Sequence, residues 1–415
     1  MRKYIDGALK ILSKVFDDGS FSNRALSSDD TSDMTTKLVY GVLERNVEIE
    51  WILSTLVIKQ PKGKIYTLLK IGVYALLHLD NVPHFAIVSE CVEVAKSNGL
   101  KGQSGFVNAV LKRVAKKEFS LPEDQKQSLS VRYSLPVWFI DRLFLEYGKE
   151  EVMELLDKNF DTNESIRINS KIKSNLVIDR LDEEKIQYSI GEYGTVLASS
   201  DSKAIKDMFK SGWITFQAVS SMKAVYALGI KGKSEILDLC SAPGGKAVLM
   251  GELSPDSQIT ACDLHKHRVE LIEKYAKRMG VDNITTETND ATKFRKDWIE
   301  KFDYVLVDAP CSCFGTYKKH PDVFLNREYR QCVELAKIQK AILENAIKYT
   351  KKGGTIVYST CTLFDVENIE VVRSVLDKAE LVNFDTKGLP RDKSYIRILP
   401  DNGSDGFFIA KLKKI

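Results

Sequence analysis

The chain has 415 residues, 44% hydrophobic and 28% charged, which is the composition of an ordinary water-exposed protein with material for two or three domains. No apolar run is long enough to span a bilayer, and the opening Met1-Arg2-Lys3-Tyr4-Ile5-Asp6 lacks the apolar core of a secretion signal, so a cytoplasmic location is expected. The net charge of +4 permits nucleic-acid binding without arguing for it, and the odd, scattered set of seven cysteines excludes a disulfide framework.

Residues 1–117 read as all-helical. Apolar residues recur at helical spacing through Ala8-Leu9, Ile11-Leu12 and Val15, through Leu38-Val39 and Val42-Leu43, and through Leu68-Leu69, Ile71, Val73 and Leu76-Leu77. Breaks are expected at Gly19-Ser20, Lys62-Gly63, Asn81-Val82-Pro83 and Asn98-Gly99. The last helix, 105–117, ends in the basic run Lys112-Arg113-Val114-Ala115-Lys116-Lys117. Residues 118–129 are polar, carry Pro122 and read as a linker. Pro136 opens a helix to Tyr147, and another covers 150–159. Short strand-like pieces follow, among them Ser165-Ile166-Arg167-Ile168-Asn169 and Thr195-Val196-Leu197-Ala198. Residues 130–215 are therefore expected to form a small α+β region.

Over 216–415 strands and helices alternate. Strands are expected at 235–239, 258–262, 283–287, 304–307 and 355–359, with two more in the tail at 381–384 and 406–412. That rhythm describes a doubly wound α/β sheet of about seven strands with one antiparallel member.

Chemistry-bearing residues cluster at the carboxyl ends of these strands, where open α/β sheets bind ligands. The first strand runs into Cys240-Ser241-Ala242-Pro243-Gly244-Gly245-Lys246 and then a helix. Glycines there let a backbone approach a ligand, and the helix start offers unpaired N–H donors. The dinucleotide and phosphate-loop spacings are both absent, which argues against a nicotinamide dehydrogenase. Asp263, Asn289-Asp290 and Asp308 close the next three strands. Taken singly, each aspartate reads as a solvated loop residue or a helix cap. Taken together on one sheet edge, they suit a ligand with a ribose, an adenine amine and a positive centre, namely S-adenosylmethionine.

Two cysteines occupy matching places. Tyr304-Val305-Leu306-Val307 leads into Asp308-Ala309-Pro310-Cys311, and Thr355-Ile356-Val357-Tyr358-Ser359 into Thr360-Cys361. A thiol pair beside a cofactor crevice points to covalent chemistry, although either cysteine alone reads as a small buried apolar residue. Cys311-Ser312-Cys313 is too tight for an ordinary zinc pair, and no metal site is read.

These segments together resemble RNA cytosine-5 methyltransferases, and most closely the small-subunit ribosomal RNA methyltransferase B group, Fmu/Sun. The resemblance rests on Val131-Arg132-Tyr133-Ser134-Leu135-Pro136-Val137-Trp138, on Arg167-Ile168-Asn169, on residues 240–246, and on the Asp308-Ala309-Pro310-Cys311-Ser312 and Ser359-Thr360-Cys361-Thr362 motifs. His320-Pro321-Asp322 and the closing Asp405-Gly406-Phe407-Phe408 also fit. The helical N-terminus resembles a NusB-like RNA-binding domain in Val82-Pro83, Ala86-Ile87-Val88 and Phe106-Val107-Asn108-Ala109-Val110-Leu111. Four positions depart from the family pattern: Ser241 replaces an alanine, Cys313 a glycine and Lys319 an arginine, and Gln217-Ala218-Val219-Ser220 lacks an acidic residue after its glutamine.

The resemblance implies a monomeric enzyme that methylates carbon 5 of cytosine 967 in 16S ribosomal RNA through a cysteine–cytosine adduct. It assigns attack to Cys361 and product release to Cys311. Placement alone cannot order the two thiols, and DNA cytosine methyltransferases attack with the Pro-Cys thiol. Asp308 is the candidate to stabilise the cytosine adduct. Residues 240–246, Asp263, Asp290 and Asp308 are the candidates to hold the cofactor. Arg167, Asn169, His320, Lys112 and Arg113 are the candidate RNA contacts. A transfer-RNA substrate, or a non-catalytic RNA-binding assembly factor on the same fold, are the alternatives.

Overall fold

In this computed structural model residues 1–18, 26, 32–158, 163–200, 202–325, 327–385, 393–401 and 403–415 are described. The expected break at Gly19-Ser20 and the expected helix end at 159 lie outside them. The chain forms two compact units. One comprises residues 1–156 and 317–329, the other 157–316 and 330–415.

The first unit is helical. Helices Arg2–Asp18, Asp33–Glu44, Asn46–Leu56, Lys64–His78, His84–Ser97 and Ser104–Ala115 bury one apolar core that includes Leu12, Leu38, Leu69 and Leu111. Lys64–His78 lies at its centre and is buried around most of its circumference, as an apolar run without a polar face requires. Gly41 permits the closest crossing there, since a Cβ would fall 1.9 Å from the Tyr74 ring.

The expected linker is not a free connection. Asp124 caps a helix, Gln125–Tyr133, by accepting from the Gln127 amide at 2.9 Å. Ser134 then turns the chain at φ 53. Its hydroxyl accepts from the Val47 and Glu48 amides at 3.1 and 3.3 Å, which satisfies the open start of helix Asn46–Leu56. Residues 118–124 run without helix or strand, and only 125–129 of the expected linker belong to this helix, which buries Ser130 and Val131. Helices Val137–Tyr147 and Lys149–Asp157 follow. The Phe139 ring packs edge-on against Tyr317 at 5.4 Å and Phe324 at 4.9 Å, which draws the 317–329 segment into this unit.

The second unit holds two sheets. Strands β1 (Glu164–Ile168), β2 (Tyr188–Ile190), β3 (Val196–Ala198) and β4 (Ile214–Phe216) form a small antiparallel sheet in the order β2-β3-β1-β4. Helices Ser174–Glu183 and Lys203–Lys210 share its apolar core of Ile166, Val177, Leu181, Val196 and Ile205.

The larger sheet comprises β5 (Glu235–Asp238), β6 (Gln258–Asp263), β7 (Ile284–Thr288), β8 (Phe302–Asp308), β9 (Thr350–Thr360), β10 (Ala379–Leu381), β11 (Tyr395–Ile398) and β12 (Phe407–Lys414). Its order is β10-β12-β9-β8-β5-β6-β7, with β11 also paired to β12. Strands β5 to β9 run parallel, and β12 runs antiparallel to β9, β10 and β11. Among the described residues this makes eight strands, one more than expected, because Tyr395-Ile396-Arg397-Ile398 adds to the edge. The inner parallel strands carry apolar residues buried from both faces, among them Ile236, Leu237, Val305, Leu306, Ile356 and Val357, whereas the edge strand β7 has no buried residue. Chain order reverses at β5, which sits between β6 and β8. A crevice therefore opens at their carboxyl ends.

Candidate active site

β5 delivers Asp238 to the crevice, and the chain turns through residues 239–244 into helix Gly245–Leu253. Gly244 has φ 110, and a Cβ there would sit 3.1 Å from Ile272 Cα, so the turn requires glycine. The Ala242–Pro243 peptide is cis. The Ser241 amide donates to Cys262 O at 2.7 Å, which pins the loop to β6.

Three polar groups around this crevice are buried without a hydrogen-bond partner: the Asp238 carboxylate, the Ser241 hydroxyl and the Asn289 amide nitrogen. Buried polar groups rarely stay unpaired, so a polar ligand is their natural complement. Burial pushes Asp238 up to about 7, opposed by the nearby Ser241 hydroxyl and by Lys246. A positively charged ligand would favour its carboxylate form. The residues present therefore fit a ligand with hydroxyl and amine groups and a positive centre.

The other candidates differ in how free they are. Asp263 closes β6, is 3% exposed, accepts from the His265 amide at 3.3 Å and faces Arg268 at 3.4 Å. Asp290 follows β7 and accepts from the Thr292 hydroxyl at 2.6 Å and its amide at 3.1 Å. Those bonds hold its carboxyl below the usual range, so it braces its own turn. Cys240 is held protonated by burial.

At the ends of β8 and β9 the elements converge. Lys246, from the first turn of the loop helix, donates to Asp308 Oδ2 at 2.7 Å. The Ser359 hydroxyl donates to Asp308 Oδ1 at 2.8 Å. Burial works to lower the Lys246 pKa, but Asp308 outweighs it and the ammonium is raised. β8 and β9 pair in parallel with Asp308 opposite Ser359, so each strand end hands its cysteine to the same place. The Cys311 and Cys361 sulfurs lie 3.3 Å apart. Cys313, at φ 62, brings a third sulfur; all three lie within 4.8 Å of one another. Both Cys311 and Cys361 titrate well above an ordinary thiol. Hydrogen bonds with Cys313 and Cys361, together with burial, raise Cys311. For Cys361 a hydrogen bond from Cys311 favours the thiolate, but Cys313 and burial prevail. Cys311 is buried while Cys361 is partly open.

Beneath the thiols lies a support that sequence reading missed. Glu367, fully buried, accepts from the Ser312 amide at 2.9 Å, from the Ser312 hydroxyl at 2.5 Å and from Gln339 at 2.9 Å. Ser312 also meets the Thr362 hydroxyl at 2.7 Å, and Gln339 donates to Pro310 O at 2.9 Å. One carboxylate thus ties the loop of Cys311 to that of Cys361. Burial raises its pKa. An isolated glutamate in a polar stretch carries no signal of this kind.

The expected RNA contacts separate. Arg167 is buried, donates to Gln217 at 2.7 Å and pairs with Glu252. Asn169 is buried and donates to Gly212 O and Met279 O, both at 2.9 Å. Both are bound inside the protein and join the small sheet to the larger one, which corrects their placement as RNA contacts: neither presents its polar head to an external ligand. His320 is exposed at the head of the 321–324 turn. Lys112 lines a groove of about 890 Å³ in the helical unit with Lys96, Lys116, Phe85 and Asn108. Arg113 is partly engaged, donating to Leu56 O at 2.8 Å.

Comparison with known proteins places this geometry. Residues 225–413 match the family described as 16S rRNA methyltransferase RsmB/F, and residues 6–116 match the NusB family. A protein of Bacillus subtilis (strain 168), described as a probable ribosomal RNA small subunit methyltransferase B, is 33% identical over 99% of this chain and 98% of its own. The chain belongs to the RsmB/F family of 16S rRNA methyltransferases. A second RsmB/F relative, ribosomal RNA small subunit methyltransferase B of Photorhabdus laumondii, is 30% identical over 98% of this chain and 97% of its own. The crystal structure of PH0851 covers 100% of this chain and 99% of its own with TM-score 0.85 at 23% identity, which shows the shared fold. A methyltransferase homologue from Pyrococcus horikoshii is 27% identical with TM-score 0.59 and covers 71% of this chain and 100% of its own. The stretch matched to the RsmB/F family contains both cysteine motifs and the glycine loop, and the NusB stretch contains the Lys112 groove.

Proposed function

We propose that this chain methylates carbon 5 of one cytosine in small-subunit ribosomal RNA, with Cys361 as nucleophile and Cys311 assisting release. The observation that carries this reading is the pair of sulfurs 3.3 Å apart at the ends of β8 and β9, beside the Lys246–Asp308 pair. Carbon 5 of cytosine is a poor nucleophile, and a thiolate added at carbon 6 turns the ring into an enamine.

S-adenosylmethionine is the methyl donor; when bound it supplies an electrophilic methyl group on a positive sulfur. The residues that would hold it are the 240–246 loop, Asp263 and the unpartnered groups of Asp238, Ser241 and Asn289. Its charge would also favour ionised groups in the crevice, where Cys361 is otherwise held protonated.

The Cys361 thiol gives up its proton to solvent and its sulfur bonds to carbon 6 as the carbon 5–carbon 6 double bond opens, ring N3 taking up a proton to leave the enamine. Asp308, fixed by Lys246 and Ser359, stabilises the adduct at ring N3 and the exocyclic amine. After methylation the carbon-5 proton is removed and the carbon–sulfur bond breaks, returning the Cys361 thiolate. Cys311, in hydrogen-bond contact with that sulfur, assists this last step. The base must be unpaired or flipped out, because stacking blocks the ring face that the sulfur attacks. Lys112, Lys116 and the exposed Phe85 of the helical unit hold flanking RNA by phosphate contact and stacking. Cytosine 967 is the proposed target and the cytoplasm the proposed location.

Bisulfite sequencing of ribosomal RNA from a strain lacking this chain tests the reading. One protected cytosine of 16S RNA should become convertible, and purified protein should restore protection. Unchanged protection in the deletion strain would overturn it.

A further inference from the structure

Cys313 is the unexpected member of the thiol site. It holds φ 62, a left-handed backbone that favours glycine and is strained for a residue with a side chain. Strain of that kind persists where surrounding structure or function demands it. What the cysteine contributes is a sulfur: it contacts Cys311 O at 3.4 Å and lies within 4.8 Å of both other sulfurs. Along the chain, Cys311-Ser312-Cys313 is too tight a pair to suggest a metal. The parallel pairing of β8 and β9 adds the third sulfur from a distant strand.

We propose that Cys311, Cys313 and Cys361 together form a site for a zinc ion, and that zinc bound there shuts off methyl transfer. Zinc–sulfur bonds are about 2.3 Å, so two sulfurs on one tetrahedral zinc stand roughly 3.8 Å apart and never more than about 4.6 Å. A 3.3 Å separation for one pair and an upper limit of 4.8 Å for all three lie within side-chain adjustment of that triangle. Three thiolates select zinc, cadmium or copper(I) over magnesium or calcium. A fourth position remains for water. Binding breaks three S–H bonds, forms three S–Zn bonds and releases three protons to solvent, with no change of oxidation state. Two of the three ligands are the thiols placed in the reaction, so a loaded site has no free nucleophile. The cysteines on two elements are already held by the Glu367 network, so little rearrangement is needed.

The inhibitory consequence rests on the proposed thiol chemistry, whereas metal binding does not. The test therefore reads both. Full-length protein, reduced and metal-free, is titrated with cadmium(II) while sulfur-to-metal charge-transfer absorbance is followed, and zinc is then used in competition. The comparison variant is Cys313→Gly, which suits the backbone at φ 62 and leaves both reacting thiols in place. Wild type should bind one equivalent to saturation, and Cys313→Gly should bind at least about tenfold more weakly. Zinc should inhibit methylation of 16S RNA at a concentration at least about tenfold lower for wild type than for the variant, each measured against its own zinc-free rate. Absence of a saturable one-equivalent signal, or equal affinity in the folded variant, overturns the site. A wild-type enzyme that is fully loaded yet fully active overturns the inhibition. A protein that binds metal but methylates no RNA under any condition leaves the metal site standing and overturns the methyltransferase reading instead.

Discussion

Lys246 Nζ and Asp308 Oδ2 are joined at 2.7 Å across the crevice, one from the loop helix after β5 and the other from the end of β8. This pair links the turn proposed to hold the cofactor to the strand that carries the first cysteine. Asp308 is oriented on its other oxygen by Ser359. Asp308→Asn should keep the fold and lower kcat for RNA methylation by about 100-fold. Cofactor affinity by calorimetry should change far less. A variant that loses cofactor binding while keeping the single-turnover rate would move Asp308 out of the chemistry.

The two thiols should fail in different ways. Cys361→Ala should abolish methylation and give no RNA adduct. Cys311→Ala should still attack and methylate but stall at release, leaving protein covalently attached to RNA. Denaturing gels with labelled RNA distinguish them by a slow-migrating band. A band in Cys361→Ala and none in Cys311→Ala would exchange the roles.

Glu367 is expected to matter for stability as much as for rate. Its removal leaves the Ser312 amide, the Ser312 hydroxyl and the Gln339 amide without their buried acceptor. Each such loss costs about 1–3 kcal/mol, so Glu367→Ala should be destabilised by roughly 3 kcal/mol or more in urea. A loss below about 1 kcal/mol would show that the network is not a structural tie.

Asp238 sets a pH dependence. Its carboxyl is pushed from 3.8 up to about 7 in the fold. Between those values the folded chain binds a proton that the unfolded chain has released. The contribution is therefore fully present below about pH 4 and is lost as pH rises through 7. Asp238→Asn carries no such group. Its stability relative to wild type should climb across that window by up to about 1.4 kcal/mol per pH unit, and level off outside it. Parallel stability curves for the two proteins would contradict the buried, unpaired state.

The groove of the helical unit gives a substrate prediction. Phe85 is 78% exposed beside Lys112 and Lys116. Reversing both lysines to glutamate should raise KM for RNA and lower the salt dependence of binding by roughly two phosphate contacts. Phe85→Ala should weaken RNA binding by about tenfold if a base stacks there. Cofactor affinity should stay unchanged in both. Filter binding across a salt series measures this, and unaltered RNA affinity would assign the groove another task.

How much of this was legible in the chain depends on the range of the interactions involved. Periodicity marked the helical core, with Leu12, Leu38 and Leu69 on buried faces, because amphipathic spacing is a local consequence of burial. The crossover rhythm placed Asp263, Asp308, Cys311 and Cys361 at one sheet edge, because parallel strands joined by helices must all point the same way. Their residue types, in that order, carried the resemblance to the ribosomal RNA methyltransferase family to which the chain belongs. Arg167 and Asn169 were misjudged because a basic or amide side chain looks the same in sequence whether it meets RNA or a buried Glu252 and a backbone carbonyl. Residues 125–129 looked like part of a linker because polarity does not distinguish a solvated tether from a capped helix that buries one narrow face. Residues 317–329 left their sequence neighbours for the helical unit because Phe139 offers an aromatic partner that adjacency along the chain cannot reveal. The Glu367 tie and the meeting of three sulfurs were decided by tertiary structure alone. A hydrogen bond or a thiol contact across some 50 residues depends on strand register, and register is set only when the whole sheet buries its apolar faces.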